Sequence, residues 1–145
     1  RFTWNNYNRT YRELLRVIAA ATHSYGTDTW RAYGNSTDER VSFIIGVNED
    51  LVILNAVCAT YNTSKNECEN GIGLDSISAP SSDCFGGYDQ VNVTVGQPTS
   101  FYFGYPGIGF HYLQHLQKAG TTGTQSWYVS PRSGTITGLL GYIKG

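Results

Sequence analysis

The sequence predicts an α+β domain with a mostly antiparallel sheet of five to seven strands and two helices. Some segments alternate apolar and polar residues, as a strand with one buried face does. Two others repeat apolar residues every three or four positions, as an amphipathic helix does. Gly, Pro, Asn and Ser separate these segments, and the 145 residues contain no repeat or linker. A single domain spanning residues 1–145 is therefore expected.

The two predicted helices lie in the first and last thirds of the chain. The first covers about residues 10–21, where Leu14 and Ile18 belong to an apolar stripe of helical spacing. The second covers about residues 108–118, between Pro106-Gly107 and Gly120, and its apolar residues also recur at helical spacing.

The strands are predicted from alternation and turn residues. Residues 41–47 and the nearly continuous apolar run 51–59 flank a turn at 48–50, which predicts a hairpin. The apolar run indicates a central strand covered on both faces. Shorter strands are expected at residues 74–77, 91–95 and 101–105, and a second hairpin in the tail at residues 125–130 and 135–143.

Composition and motifs exclude several classes of function. Only 14% of residues are charged and the net charge is -1, so there is no electrostatic footprint for nucleic acid. The apolar runs are too short for a membrane span. The glycine-rich segment 104–109 matches neither the dinucleotide nor the P-loop spacing. His111 and His115 stand four apart but lack a third ligand, so no metal and no cofactor are expected.

Four Asn-X-Ser/Thr acceptor sites predict a secreted glycoprotein. A glycan is bulky and hydrophilic, and only chains that enter a secretory pathway receive one. Arg1 as first residue agrees with removal of a leader segment. The predicted glycosylation sites are Asn8, Asn35, Asn62 and Asn92.

The three cysteines agree with an oxidising compartment. Cys68 and Cys84 lie in loop-like stretches and are predicted to form a disulfide bond. Cys58 lies in an apolar run and has two interpretations. A buried thiol is favoured because unpaired cysteines are among the most buried residue types. The other is an intermolecular disulfide to a partner subunit.

Eleven tyrosines make binding the most prominent functional signal, since tyrosine offers a large contact area with a polar tip. The alternative is a tyrosine-rich core and surface of a secreted β domain. In addition, short segments resemble, in order, ribosome-inactivating proteins of the ricin A-chain type. The segments are residues 2–3 with 11–16 (similar to that family's opening helix), 38–42, 51–54, 59–61, 85–89 and 120–125.

The resemblance implies a ligand site. Tyr61 and Tyr88 stand where that family presents its adenine-stacking tyrosines, and Arg132 is the candidate proton donor. The family's catalytic Glu has no counterpart, because residues 133–145 contain neither Glu nor Asp. Oxocarbenium chemistry loses its main electrostatic stabilisation without a carboxylate. No catalytic residue is therefore assigned, and binding without catalysis is favoured.

The leading hypothesis is a secreted glycoprotein that acts by binding an extracellular protein or carbohydrate, as a toxin subunit, effector, adhesive or lectin-like module. One alternative is an adenine-releasing toxin that acts on ribosomal RNA, the only interpretation with a nucleic-acid partner. The other is a structural subunit of an extracellular assembly, joined through Cys58 or through exposed strands.

Overall fold

The structure is a computed structural model and describes residues 9–18, 22–61, 66–91, 95–121, 124–128 and 137–144. These residues form a mostly-β protein with fourteen strands and a single turn of 3-10 helix at Tyr33–Asn35. The predicted α+β fold with two helices is wrong, because no α-helix occurs in the described ranges. No helix within the described ranges has the length and the apolar character needed to span a membrane.

The strands are short and follow one another closely. In chain order they are β1 (Tyr11–Val17), β2 (His23–Tyr25), β3 (Arg31–Ala32), β4 (Arg40–Ile45), β5 (Val52–Val57), β6 (Ala59–Tyr61), β7 (Asn66–Leu74), β8 (Cys84–Gly86), β9 (Tyr88–Val91), β10 (Val95–Gly96), β11 (Thr99–Gly104), β12 (Gly109–Ala119), β13 (Gln125–Tyr128) and β14 (Gly138–Lys144).

The strands pair into three antiparallel sheets. Sheet 1 has the order β1-β14-β5-β11-β8, with β5 in the middle. Sheet 2 has the order β10-β6-β13-β2. Sheet 3 has the order β3-β12-β7-β9, and β4 pairs with the first half of β12. The chain passes from sheet 1 to sheet 2 at Cys58, between β5 and β6.

The main core lies between sheets 1 and 3. Every second residue of β5 points into it, and Val52, Leu54 and Ala56 are each fully buried. From sheet 3, β4 contributes Val41, Phe43 and Ile45, which alternate with exposed residues. This alternation confirms the strand predicted from the same residues. A second, smaller core holds residues from sheets 2 and 3 and the segments beside them: Ile18, Tyr33, Cys58, Cys68 and Trp127.

Both predicted helices are strands. The segment expected to open the chain as a helix contains β1, in which Leu14 is buried and Leu15 is exposed. This also contradicts the helix that the family resemblance implied there. The segment 108–118 is almost entirely β12, the longest described strand, with five consecutive buried residues at 113–117. A strand buried on both faces shows no alternation, so its apolar residues mimic helical spacing.

The predicted hairpins contain real strands with the wrong partners. β4 and β5 do not pair with each other: β4 pairs with β12, and β5 pairs with β11 and β14. In the tail, β13 belongs to sheet 2 and β14 to sheet 1. The predicted cover on both faces of β5 is also wrong, because Ile53 is exposed.

Candidate functional site

The outward surface of sheet 1 is apolar, although antiparallel sheets usually place polar residues on a surface that faces water. The inward residues of its strands are buried in the main core. The outward residues on the same strands are large, apolar and exposed, and we call this surface the apolar face. It consists of Leu15, Val17, Ile53, Phe85, Phe101, Phe103, Leu140 and Tyr142.

The strand register aligns these side chains in rows across the sheet. One row crosses all five strands and holds, in order, Leu15, Leu140, Asn55, Phe101 and Phe85. Side chains directly opposite on neighbouring antiparallel strands have their Cβ atoms about 5 Å apart. The row is therefore a continuous strip.

A second row runs beside the first. It holds Glu13, Tyr142, Ile53 and Phe103, in that order. Tyr11 extends the exposed surface at the β1 edge, where it pairs with Lys144. The two rows give the apolar face a width of at least two side chains along every long strand of the sheet.

The apolar face is about as large as the apolar part of a protein–protein interface. Its four aromatic and four aliphatic side chains are 39–60% exposed. At that exposure they present roughly 600 Å² of apolar surface to solvent. The largest apolar patch on a typical monomeric protein covers roughly 300–600 Å², and such patches often mark interaction sites. A standard protein interface contains about this much apolar area on each side.

Charged groups are confined to one edge of the apolar face. Among the described outward residues of sheet 1, Glu13 and Lys144 carry the charges, and they lie on the neighbouring strands β1 and β14. Their charges cancel, so the face is formally neutral. It therefore lacks the cluster of lysines and arginines that attracts a protein to an anionic membrane surface.

One polar side chain lies inside the apolar face. Asn55 occupies the middle strand of the sheet, between Leu140 and Phe101. Its Oδ1 atom is buried and accepts no hydrogen bond from the described residues. A buried polar atom without a hydrogen-bond partner costs about 1–3 kcal/mol, so this oxygen does not contribute to the stability of the chain.

A smaller exposed apolar group lies on the other side of the molecule, on sheet 3. Ile44 of β4 and Phe110 of β12 are paired and exposed, and the exposed Ile108 precedes Phe110 by two residues. This group is smaller than the apolar face. It supplies matched control positions for experiments on that face.

The interior contains a polar cluster around Tyr33. Its ring stacks on His115 with the centroids 4.4 Å apart, and it meets Trp127 edge-on at 5.8 Å. The Gln117 Oε1 atom lies 2.8 Å from the Gly34 nitrogen, which donates to it, and 2.7 Å from His23 Nε2. Tyr33, His115, Gln117 and Trp127 are fully buried, so this cluster organises the junction of sheets 2 and 3 rather than facing a ligand.

The two histidines considered as metal ligands have different hydrogen-bond partners, one near the surface and one in the interior. His111 Nδ1 lies 2.7 Å from Asp75 Oδ2 near the surface. His115 Nε2 lies 2.6 Å from Asn70 Oδ1 in the interior. Burial lowers the pKa of His115 to about 3, so its ring is neutral at pH 7. No group of three or more potential ligands that could hold a metal ion occurs among the described residues.

The structure places the predicted tyrosine ligands on different sheets. Tyr61 lies on β6 of sheet 2, half-buried and opposite Ser126. Tyr88 lies on β9 of sheet 3, where its side chain is exposed and its hydroxyl hydrogen-bonds to Glu67. None of the ring contacts among the described residues joins them. Arg132, the third predicted ligand, lies outside the described residues.

One of the four predicted glycosylation sites is described. Asn35 ends the 3-10 turn, is exposed and has a positive φ of 57°. Its exposure meets the requirement that a glycan projects into solvent. The other three sites, Asn8, Asn62 and Asn92, lie outside the described residues.

All three cysteines are described, and each is a thiol rather than half of a disulfide. Cys68 belongs to the second core, with its Sγ 3.3 Å from Thr60 Oγ1. Cys84 packs against the main core instead, and burial raises the pKa of its thiol. The predicted Cys68–Cys84 bridge is therefore not formed in this structure. Cys58 is 1% exposed, which keeps its Sγ away from another chain.

The fold and the site together define a mostly-β protein with an apolar, aromatic sheet face. No protein-family model matches the sequence. No curated protein is significantly similar to it either.

Proposed function

We propose that the protein acts by binding another protein through the apolar face. The observation that carries this proposal is the exposure of Phe101 and Phe103, which are 50% and 53% exposed on a sheet whose other surface forms the main core. Exposed apolar surface gains about 25 cal/mol for each Å² removed from water. A partner that covers the face recovers that free energy.

The composition of the face favours a protein partner over a carbohydrate. Sugar binding combines aromatic rings with several polar groups that fix the hydroxyls. Here Leu15, Leu140 and Ile53 stand among the rings, and Asn55 is the polar group inside the rows. Aliphatic and aromatic side chains together are typical of the core of a protein interface.

Site-specific photo-cross-linking tests the proposal. Replacing Phe103 by p-benzoylphenylalanine places a photoreactive ring on the face, and Phe110→p-benzoylphenylalanine places one on sheet 3 as the matched control. We expect irradiation of the protein in its native producing cells or medium to give a discrete protein adduct at position 103 and none at 110. Mass spectrometry of the adduct identifies the partner.

A second variant guards against non-specific capture. Leu15→Thr combined with Leu140→Thr removes apolar contacts from the same face without touching position 103. We expect this pair to abolish the adduct. Equal adducts at 103 and 110, or adducts with lipid alone, would show that the face has no specific protein partner.

We also propose that the protein works outside the cell. The four acceptor sites in the sequence support this, together with the exposure of Asn35. An intact-mass measurement before and after enzymatic removal of N-glycans tests it. A loss of mass that becomes smaller in Asn35→Gln is expected; a mass equal to that of the bare polypeptide in the native material would contradict secretion through a glycosylating pathway.

A further inference from the structure

The strip that crosses the apolar face has an aliphatic half and an aromatic half, so it can pack against a second strip that runs in the opposite direction. On one side of Asn55 it carries two aliphatic side chains, Leu140 and Leu15. On the other side it carries two aromatic rings, Phe101 and Phe85. A two-fold axis that runs along β5 in the plane of the face would place each aliphatic half on the aromatic half of a second copy.

We propose that the partner of the apolar face is a second copy of this chain, packed face to face about a two-fold axis along β5. This inference rests on the proposed binding function and specifies its partner. Two sheets packed face to face, with interdigitating side chains, form a standard β-sandwich interface. A two-fold interface uses the same surface on both subunits, so its residues must complement their own copies.

The second row obeys the same symmetry. Rotation about the two-fold axis along β5 brings Tyr142 of one copy onto Phe103 of the other, and Ile53 onto Ile53. Glu13 falls at the edge of the overlap, where its charge stays solvated. The face carries one acid and one base, so two copies meet without a net like-charge repulsion.

Asn55 lies on the proposed axis, at the middle of the strip, so the two copies of its side chain face each other. Its Oδ1 atom is buried within its own chain, so the contact on the axis involves the rest of the side chain. A single polar pair in an apolar interface also fixes the register of the two partners.

The apolar area agrees with this assignment. Roughly 600 Å² of apolar surface on each copy matches the apolar share of a standard interface, which buries about 800 Å² per partner. Interfaces of standard size have dissociation constants from micromolar to picomolar, so we expect the dimer to be detectable at micromolar concentrations.

The first measurement is the mass of the purified full chain in solution, by light scattering and sedimentation across a range of concentrations. We expect a species of twice the 16.0 kDa chain mass, dissociating on dilution. The double variant Phe101→Thr/Phe103→Thr should be monomeric, while the control Ile44→Thr/Phe110→Thr, which alters somewhat more exposed residues on sheet 3, should stay dimeric. A monomeric wild-type chain at all concentrations would overturn the inference.

A charge exchange at position 55 tests the symmetry itself. In Asn55→Asp two carboxylates meet on the axis, and in Asn55→Lys two ammonium groups meet there. Each variant alone should dimerise at least about 100-fold more weakly than wild type, because like charges facing each other cost several kcal/mol. An equimolar mixture should regain dimers that contain one chain of each kind. Circular dichroism verifies that both variants fold.

The outcomes separate this inference from the proposed function. Recovery of the mixed dimer supports a two-fold contact at Asn55. A wild-type dimer that the charged variants do not disturb would mean that another surface forms it, and the inference fails. A monomeric chain whose residue 103 cross-links to a different protein would overturn the inference but leave the binding function intact. A monomeric chain without any protein adduct would overturn both.

Discussion

The ring of Tyr33 stacks on the imidazole of His115, with the two planes only 14° apart. The Nε2 atom of His115 lies 2.6 Å from Oδ1 of Asn70, whose Nδ2 donates to the carbonyls of Ala56 and Pro98. Those two bonds orient Asn70 Oδ1 toward His115, so the Nε2 atom of His115 carries the proton and donates it. Nδ1 is buried without a hydrogen bond, so a second proton on this ring would have no acceptor.

Stability should therefore fall as the pH is lowered. Burial lowers the pKa of His115 to about 3 in the folded protein, whereas a histidine in an unfolded chain has a pKa near 6.5. Below pH 6.5 His115 binds a proton in the unfolded state but stays neutral in the folded state. The contribution of His115 is thus complete above pH 6.5 and is lost as the pH falls toward 3. Linkage predicts a loss of about 2 kcal/mol between pH 8 and pH 5.

Urea unfolding at pH 8 and pH 5 measures this loss, and His115→Gln provides the control. Glutamine can still donate to Asn70 but does not titrate. We expect His115→Gln to lower the free energy of unfolding at pH 8 and to reduce its change with pH by about 2 kcal/mol. An unchanged pH dependence in the variant would contradict the assignment of this titration to His115.

Two glycines with nearly the same positive φ should respond differently to substitution. Gly87 and Gly107 have φ of 91° and 93°, which L-residues rarely adopt. A Cβ on Gly87 would overlap the carbonyl oxygen of Asn70, whereas a Cβ on Gly107 would meet nothing within 4 Å. Gly107→Ala should cost about 1 kcal/mol for the backbone alone. Gly87→Ala should cost about 3 kcal/mol or more, because overlap adds to that strain.

Chemical denaturation of the two glycine variants beside the wild type gives the comparison. The backbone nitrogen of Asn70 also donates to the Gly87 carbonyl at 2.6 Å. The overlap should therefore shift Asn70 and weaken its hydrogen bond with His115. We therefore expect Gly87→Ala to alter the pH dependence of stability and Gly107→Ala to leave it unchanged. Equal losses of stability in both variants would show that only backbone strain matters at these positions.

Some of the strands could be predicted from the sequence, among them β4, β5, β11, β13 and β14, but their partners could not. The alternation of Val41, Phe43 and Ile45 reports one buried face, and β4 has it. Alternation says nothing about which strand lies alongside, and here β4 pairs with β12, more than 60 residues away, rather than with β5. Turn residues at 48–50 connect two different sheets instead of closing a hairpin.

The wrong helices and the unpredicted binding face have one physical cause. Where both faces of a strand are apolar, the period of two disappears from the sequence. In β12 both faces are buried at residues 113–117, and apolar and polar residues occur on both, so the two faces do not differ in polarity. In β1 the outward Leu15 belongs to the apolar face. The sequence signal for that face is the apolar run 51–59, which by itself predicts a strand covered on both faces. Finding Asn55 at the centre of the face required the register of β5 with its neighbours.

Neighbouring residues of β11 and β5 should differ sharply in their effect on stability. Phe101 points outward and is 50% exposed, whereas Leu54 is fully buried in the main core. Leu54→Ala should lower the free energy of unfolding by about 2–5 kcal/mol, because it leaves a cavity. Phe101→Thr should change it by less than about 1 kcal/mol in the monomer. Thermal melts at a concentration below dimer formation compare them; a large loss for Phe101→Thr would mean that its side chain is covered within the chain.

The state of the cysteines can be read from alkylation of the denatured protein without a reductant. In this structure Cys68 and Cys84 belong to different cores, so we expect three alkylated cysteines per chain. Alkylation under native conditions should be slow at Cys58, which is 1% exposed. It should also be slow at Cys84, because a raised pKa reduces the fraction of reactive thiolate at pH 7.

Peptide mapping after the denatured reaction distinguishes the alternatives for these cysteines. One alkylated cysteine per chain, at position 58, would establish the Cys68–Cys84 disulfide predicted from the loop-like sequence around both residues. Forming that bond would require Cys68 to leave the contact of its Sγ with Thr60 Oγ1 in the second core. A chain with three thiols loses no stability in dithiothreitol, whereas opening such a bridge would cost about 3 kcal/mol.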